Sequence, residues 1–394
     1  MNPKNYSKEV KEFVKGHLLD DPFSLSLTLK NNPDSWVHEA ILQIQARKKA
    51  KNKLPGWYQN LDLVFPNPIS VEQASSEKTA HYKFQDFKGK EAWDLTGGLG
   101  IDTWSLSGNF KKVKYVEPDE ELCQIAKHNF AELNSPGIEI HSANAIDFIN
   151  ENVDSADLIY IDPSRRAQAN KKVFLIEDCT PNVLAMQDAL VKKSQSVLIK
   201  LSPMLDIKSI LAKMKHIKKI TVLAIENECK EILCLLQKNS SEVKFEAVNL
   251  SKNGIESFAF DLSDEDLKPK YDMPGKYLFV PNASILKAGA FNSLAVKFSL
   301  DKLHPNSHLY TSDESIDNFP GRKFKIEAVV KPVKKEIQNL IPSGKANISV
   351  RNFPLRVNEL RKKLQLTDGG DDYLFATTLI DGSKKILAAR QVFK

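Results

Sequence analysis

Only four cysteines occur in 394 residues, Cys123, Cys179, Cys229 and Cys234, and no two form a Cys-x-x-Cys pair. The eight histidines are dispersed as well, so neither a disulfide framework nor a metal site is suggested, and this cysteine usage fits a reducing cytoplasm. Long apolar runs are also missing. No stretch approaches the roughly 18–20 residues of a spanning helix, and the opening MNPKNYSKEVKEFVKG lacks an export-type apolar segment. A cytoplasmic chain with no membrane partner is expected. Glycine (16) and proline (19) are too scarce for a collagen-like, mucin-like or disordered polymer. No internal repeat is found.

What the chain has is a globular composition, with 42% hydrophobic and 27% charged residues. At roughly 100–200 residues per domain its length predicts two or three domains. The net charge of +6 is unevenly placed: residues 320–394 hold 16 Lys+Arg against 7 Asp+Glu, a surplus of +9, and the remainder is at −3. A basic appendage on a near-neutral body is how a polyanion-binding module looks, with a solvated basic face as the alternative.

Residues 1–70 read as a helical region, since Trp36, Val37, Ala40, Ile41 and Ile44 recur at helical spacing after Pro33–Asp34–Ser35. This helix runs into the basic stretch RKKAKNK (47–53), a candidate extension of a polyanion surface. Ser70 and Gln73 form an S-x-x-Q capping box that predicts a helix to about Tyr82. From Glu91 strands and helices alternate: EAWDL (91–95), KVKYVE (112–117), IEIHSA (138–143), ADLIYID (156–162) and SVLIKL (196–201), with helical patterns between them. Such alternation means βαβ units and a parallel sheet. KKITVLAIE (218–226) and KEILCLLQK (230–238) lie too close together for anything but an antiparallel hairpin. The expected fold is α/β, a Rossmann-like seven-stranded sheet over 71–240 that ends in this hairpin. A small α+β domain (241–319) and a basic α+β module (320–394) follow.

The most informative stretch is WDLTGGLGID (93–102), where an apolar strand ends at Asp94 and passes through Gly98 and Gly100 into a helix. This is where doubly wound sheets bind nucleotides, and bare backbone there admits a ligand. The second strand ends at Glu117, 17 residues after Gly100, where a carboxylate can accept both hydroxyls of a ribose. The third ends at Asn144, suited to an adenine edge or to a plain turn. The fourth delivers Asp162–Pro163 in ADLIYIDPSRR, able to hold an amino group in line for displacement. Arg165 and Arg166 can grip a phosphate, or can pair with Glu177 or Asp178, and Lys200 ends the fifth strand on the same edge.

WDLTGGLGID, VEPDEE, IAKHNF and IDPS, in that order, resemble the motifs of class I S-adenosylmethionine-dependent methyltransferases. AKHN is similar to the A-x-H-N of RNA guanine-N2 methyltransferases of the trimethylguanosine synthase type. The flanks VEQASSEKTAHYK, ENECKE, YLFVPNASILKAGAF and RNFPLRVNELRKKL resemble a bacterial family that joins this domain to a ferredoxin-like domain and a C-terminal THUMP-like domain. The resemblance implies S-adenosyl-L-methionine as cofactor and RNA as substrate. It implies Asp94, Thr96, Gly98, Gly100, Glu117, Asn144, Ala145 and Asp162 around the cofactor, with Asp94 on its amino group, and Asp162 with Pro163 orienting the acceptor. Two departures stand out. Ser164 and Arg165 replace the Pro-aromatic pair usual after the Asp-Pro of amine-methylating enzymes, so a stacking ring must come from elsewhere, such as Tyr82, Trp57 or Tyr58. Asn144 stands where an acidic residue is usual.

In the C-terminal module Arg351, Arg356, Arg361, Lys362 and Lys363 are the candidate RNA contacts, with a solvated helix face as the alternative. All four cysteines read as buried thiols, including Cys179, the one weighed as a nucleophile, and His128 as a capping or core residue. Three rivals remain open at this stage: a nicotinamide-dependent oxidoreductase, a non-catalytic RNA-binding protein on the same fold, and a methyltransferase of a protein or small molecule.

Overall fold

The computed structural model describes residues 3–30, 32, 34–165 and 175–392, which divide into two compact units, 1–218 with 233–242 and 219–232 with 243–394. The first unit opens with helices α1 (Lys8–Gly16), α2 (Pro22–Thr28), α3 (Ser35–Ala50), α4 (Pro55–Gln59), α5 (Pro68–Gln73) and α6 (Glu77–Phe84). The inward stripe of α3 runs Val37, Ala40, Ile41, Ile44 and then Arg47, all buried. Arg47 donates to the carbonyls of Tyr58, Asn60, Leu61 and Leu63, at 2.6–3.3 Å, and so fixes the turn after α4. Lys53 likewise donates to the carbonyl of Val71, and Lys49 pairs with Glu72. Within RKKAKNK, Arg47 is therefore structural and Lys49 and Lys53 have partners in the unit, while Lys49 and Lys51 remain exposed. The single helix expected from Ser70 is two: Asn67 caps α5, and the reciprocal capping box joins Ser76 and Thr79 at the start of α6.

Then come β1 (Gly89–Asp94), α7 (Ile101–Ser107), β2 (Phe110–Glu117), α8 (Glu120–Glu132), β3 (Ile138–Ser142), α9 (Ala145–Glu151) and β4 (Ala156–Ile161). A two-strand ribbon, β5 (Ser164–Arg165) with β6 (Cys179–Thr180), precedes α10 (Val183–Lys193), β7 (Ser194–Leu201) and α11 (Ile207–Lys213). Strands β8 (Ile217–Ile225) and β9 (Glu228–Leu236) form the hairpin. Within the first unit the strand order is β9-β7-β4-β1-β2-β3, and β1, β2, β3, β4 and β7 are mutually parallel. Leu158, Ile159, Tyr160 and Ile161 are fully enclosed, as a central strand covered on both faces requires. The AKHN segment of α8 is structural. His128 Nε2 meets the Asp62 carbonyl at 2.8 Å, and the Asn129 amide makes two 2.8 Å bonds to the main chain of Val64.

The second unit holds the order β11-β10-β8-β9, with β10 (Lys244–Ser251) parallel to β8 and antiparallel to β11 (Gly254–Asp261). Glu226 and Asn227 turn the hairpin with φ of 47° and 65°, the mirror-image geometry that right-twisted strands favour. The expected hairpin strands β8 and β9 are present, and β10 and β11 continue the sheet from β8 within this unit. Residues 244–261, expected in the small α+β domain, thus pair with a strand of the expected hairpin. The remaining strands are β12 (Tyr277–Pro281), β13 (Asp301–Lys302), β14 (Tyr310–Ser312), β15 (Gly321–Val330), β16 (Asn347–Arg351), β17 (Asp372–Thr378) and β18 (Lys384–Val392). They form one sheet ordered β13-β14-β12-β15-β18-β17-β16, so the expected boundary at residue 320 falls between strands that are hydrogen-bonded to each other. Helices α12 (Ala283–Ala288), α13 (Asn292–Lys297), α14 (Lys334–Leu340) and α15 (Val357–Leu364) complete this unit. No helix among the described residues is long and apolar enough to cross a membrane, and no group of acidic, Cys or His side chains among them is arranged to hold a metal.

Candidate functional site

The carboxyl ends of β1, β2, β4 and β7 meet at one edge of the first unit, and hydrogen bonds lock their loops together. Thr96 is the latch. Its N–H donates to Asp94 Oδ1 at 3.1 Å, and its hydroxyl accepts from the Asp162 N–H at 2.7 Å. Glu117 braces the glycine turn by accepting from Gly98 N at 2.9 Å and Asp119 N at 3.1 Å, and burial raises its pKa. Gly98 has φ of +52°, and a Cβ built there would meet only the Thr96 carbonyl, at 3.8 Å, so this backbone lies bare to a ligand. At Gly100 the reason differs: φ is +90°, and a Cβ would sit 2.7 Å from the Phe130 ring.

Asp94 is fully enclosed and accepts from the Thr103 hydroxyl at 2.6 Å as well as from Thr96. A direct bond to a cofactor amino group, the role expected for it, is not offered in this structure; its carboxyl holds the loop. Burial raises its pKa from 3.8 to about 7, with Asp102 and Asp162 adding to the effect. Because the folded-state value lies above the ordinary one, the stabilisation is full below the ordinary range and is lost as pH rises through about 7. Between about pH 5 and about pH 8 the wild-type chain is therefore expected to lose on the order of a few kcal/mol relative to Asp94→Asn. Urea midpoints of both proteins at the two pH values measure this, and parallel pH profiles would refute it.

Asn144 caps α9. Its Oδ1 accepts from Ile146 N at 3.1 Å and Asp147 N at 3.0 Å, while Nδ2 donates to Asp147. Ala145 opens that helix and is buried. Pro163 is buried and Asp162 partly exposed, paired with Lys200, whose side chain is 12% exposed. Burial raises the Asp162 pKa and Lys200 pulls it back.

Behind this pair lies a network that motif reading missed. Lys200 Nζ is 3.4 Å from Ser75 Oγ, which donates to Asp102 Oδ2 at 2.7 Å. Lys83, with a wholly enclosed side chain, reaches Asp102 at 2.8 Å, Ser75 at 2.7 Å and the Tyr160 hydroxyl at 3.2 Å. Tyr160 in turn donates to Asp102 Oδ2 at 2.9 Å. Burial alone would raise the Asp102 carboxyl, but Lys83 and Lys200 outweigh it and hold the pKa below its ordinary value. Three carboxylates and two lysines thus lie close together at the sheet edge.

Other expected residues fall elsewhere. Arg166 and the Arg165 side chain lie outside the described residues, and Glu177 pairs with Lys213 at 2.5 Å. Trp57 is buried edge-on against Phe65 and Trp104, which removes it as a stacking ring. Tyr58 and Tyr82 are half-buried. Cys123, Cys179 and Cys234 are buried, the last pushed up to about 12, and Cys229 is half-buried. In the second unit Arg351 ends β16 half-buried, and Arg356 precedes α15, exposed. Arg361 pairs with Asp368, while Lys362 and Lys363 are exposed.

Comparison with known proteins agrees with this architecture. Residues 277–320 match a ferredoxin-like domain and residues 321–391 a THUMP domain-like family. The crystal structure of a "putative methyltransferase" from Porphyromonas gingivalis W83 superposes with a TM-score of 0.87 at 32% identity, covering 98% of both chains. A rRNA methylase from Streptococcus thermophilus (12% identity, 44% of this chain and 98% of that one) and a SAM-dependent methyltransferase from Agrobacterium tumefaciens (14%, 41% and 60%) overlap only at TM-scores of 0.31. No curated protein matches the chain. On its parallel sheet with a closing hairpin, its two C-terminal domain matches and its full-length structural relative, the chain belongs to the class I S-adenosylmethionine-dependent methyltransferase family with a ferredoxin-like and a C-terminal THUMP-like domain.

Proposed function

We propose that the protein methylates a base in structured RNA, with S-adenosylmethionine as donor. The observation that carries the methyltransferase reading is the Thr96 latch, which sets the Asp162 backbone against the glycine turn at 2.7 Å and so brings acceptor and cofactor loops into one site. The cofactor fits this edge: the Gly98 backbone is bare, and the Glu117 carboxylate keeps lone pairs beyond its two backbone bonds. Gly98 and Gly100 would face its methionine part, with Thr96 beside them. Glu117 would hold the ribose, and the α9 start at Asn144 and Ala145 would border the adenine. When bound, the cofactor supplies an electrophilic methyl group on a sulfonium.

Asp162 and Pro163 would then orient the acceptor, and Lys200 keeps the Asp162 carboxylate in place. A nitrogen acceptor forms its bond to carbon first and gives up a proton to Asp162 or to water afterwards, so no strong base is required. RNA is supported by the THUMP-like match and by the +9 surplus of residues 320–394.

Radiolabelled methyl transfer to RNA from cells lacking the protein tests this reading. That RNA is expected to take up label well above the level of wild-type RNA, which is already modified. Equal labelling would defeat the RNA assignment. Salt-sensitive RNA binding without calorimetric binding of the cofactor would favour the non-catalytic alternative instead.

A further inference from the structure

The acceptor end of the site receives a side chain from outside the sheet. Ser75 lies at the joint of α5 and α6, is buried at 4% exposure, and has its main chain pinned on both sides. Ala74 N donates to the Ser70 carbonyl at 3.0 Å and closes α5. Ser76 opens α6 with its reciprocal bonds to Thr79, and Glu77 N donates to the Lys53 carbonyl at 3.1 Å. A residue flanked by two fixed helix ends presents its side chain in one place.

The Ser75 hydroxyl is used to its full hydrogen-bonding capacity, with its proton given and both lone pairs filled. It donates to Asp102 Oδ2 at 2.7 Å, accepts from Lys83 Nζ at 2.7 Å and accepts from Lys200 Nζ at 3.4 Å. Lys83 and Asp102 are buried and hold each other through their own ion pair at 2.8 Å. Lys200 is the lysine that pairs with Asp162. Two ammonium groups this near to one oxygen repel each other, and the flanking carboxylates of Asp102 and Asp162 offset that repulsion. The stem of a lysine is flexible, and the Ser75 oxygen gives the head of Lys200 a buried anchor point beside Asp162.

We propose that Ser75 is a positioning residue for methyl transfer: its hydroxyl, fixed by Lys83 and Asp102, anchors Lys200 and through it the Asp162 carboxylate that meets the acceptor. The inference rests on the methyltransferase reading of this edge and extends its machinery to the joint of α5 and α6. Acting through Lys200, Ser75 governs the rate and its pH dependence rather than cofactor binding. Asp162 is faced by Lys200 of β7, Lys83 of α6, Asp102 of α7 and Asp94 of β1. Burial raises its pKa, and the lysines, Lys200 foremost, draw it down. A Lys200 head without its anchor draws it down less, so the carboxylate then needs a higher pH to ionise.

The test is the pH profile of methyl transfer by the full chain, with radiolabelled S-adenosylmethionine and RNA from cells lacking the protein, and with calorimetry of cofactor binding alongside. Ser75→Ala is expected to lower kcat about five- to tenfold and to leave cofactor affinity within about threefold. The acid limb of its rate profile is expected to move up by about 0.5–1 pH unit. Ser76→Ala is the control from the neighbouring position. It removes the cap of α6 and leaves the Ser75 hydroxyl, so the thermal midpoint is expected to fall while the rate stays within about threefold of wild type and the acid limb stays in place. Ser75→Cys, which puts a weak hydrogen-bonding group of similar size in the same space, is expected to slow and shift in the same direction, and it decides the matter should Ser75→Ala unfold. Equal slowing in the Ser75 and Ser76 variants would overturn the proposal, as would slowed Ser75 variants whose acid limb has not moved. A wild-type chain that binds no S-adenosylmethionine overturns this inference together with the methyltransferase reading. A wild-type chain that transfers methyl no faster than its Ser75 variants overturns this inference alone.

Discussion

Asp162→Asn is expected to slow methyl transfer by about 10²–10³-fold, while affinity for S-adenosylmethionine stays within about threefold. The main-chain bond from Asp162 to Thr96, at 2.7 Å, does not involve the side chain, so the cofactor loop keeps its latch in the variant. What is lost is the carboxylate paired with Lys200, which in the proposed role orients the acceptor. An amide of the same shape offers one oxygen and no charge, and a nitrogen acceptor then lacks both its orienting partner and its nearest proton sink. Lys200 also loses its counter-charge. Because Asp162 is about a third exposed, water screens part of that loss, and a stability cost of about 1–3 kcal/mol is expected, to be read separately by thermal unfolding. Initial rates at saturating cofactor, with calorimetry of cofactor binding alongside, decide the matter. A variant that retains full rate would remove Asp162 from the reaction.

The sheet was legible because its signals are local. Each of the parallel strands is an apolar run bounded by turn residues, and Asp94, Glu117 and Asp162 stand at or just beyond the ends of such runs. The network behind the site was less so, yet it leaves a trace. Thr79, Ala80, Lys83 and Phe84 are the buried residues of α6, so Lys83 occupies an apolar stripe, as Arg47 does after Ala40 and Ile44 on α3. A cation at a stripe position is buried and needs partners; within RKKAKNK this periodicity singles out Arg47. Which partner each cation finds is not a local property. Arg47 takes carbonyls, whereas Lys83 takes Asp102, and only the packing of α6 on α7 selects that pair. Asn144 carried its own signal, since Asn followed three residues later by Asp is a helix-start pattern. The pairing of β10 with β8 had none: its alternation of apolar and polar residues is the same whichever sheet it joins.

The Lys83–Asp102 pair carries the largest expected effect on stability. Lys83→Met is expected to cost about 3–5 kcal/mol and to lower the thermal midpoint by roughly 6–20 °C. The Lys83 side chain is fully enclosed and that of Asp102 is 10% exposed, so removing the ammonium leaves a desolvated carboxylate with only the Ser75 and Tyr160 hydroxyls as named donors. The pH dependence follows from the sign of the shift. In the wild-type chain the Asp102 pKa lies below its ordinary value, so its contribution is present above the ordinary carboxylate range and is lost only as pH falls through the depressed folded-state value. Without Lys83, burial governs and the pKa rises; protonation then relieves the strain, and the deficit of the variant should narrow as pH is lowered from about 8 to about 5. Asp102→Asn in the same background supplies the other half of the argument. It keeps an acceptor for Ser75 and Tyr160 and removes the charge, so the double variant should recover most of the lost stability, as replacing both members of a buried pair usually does. If the two substitutions instead cost the sum of their separate effects, the ion pair is not what holds α6 and α7 together, and the fixed position of Lys200 beside Asp162 needs another support.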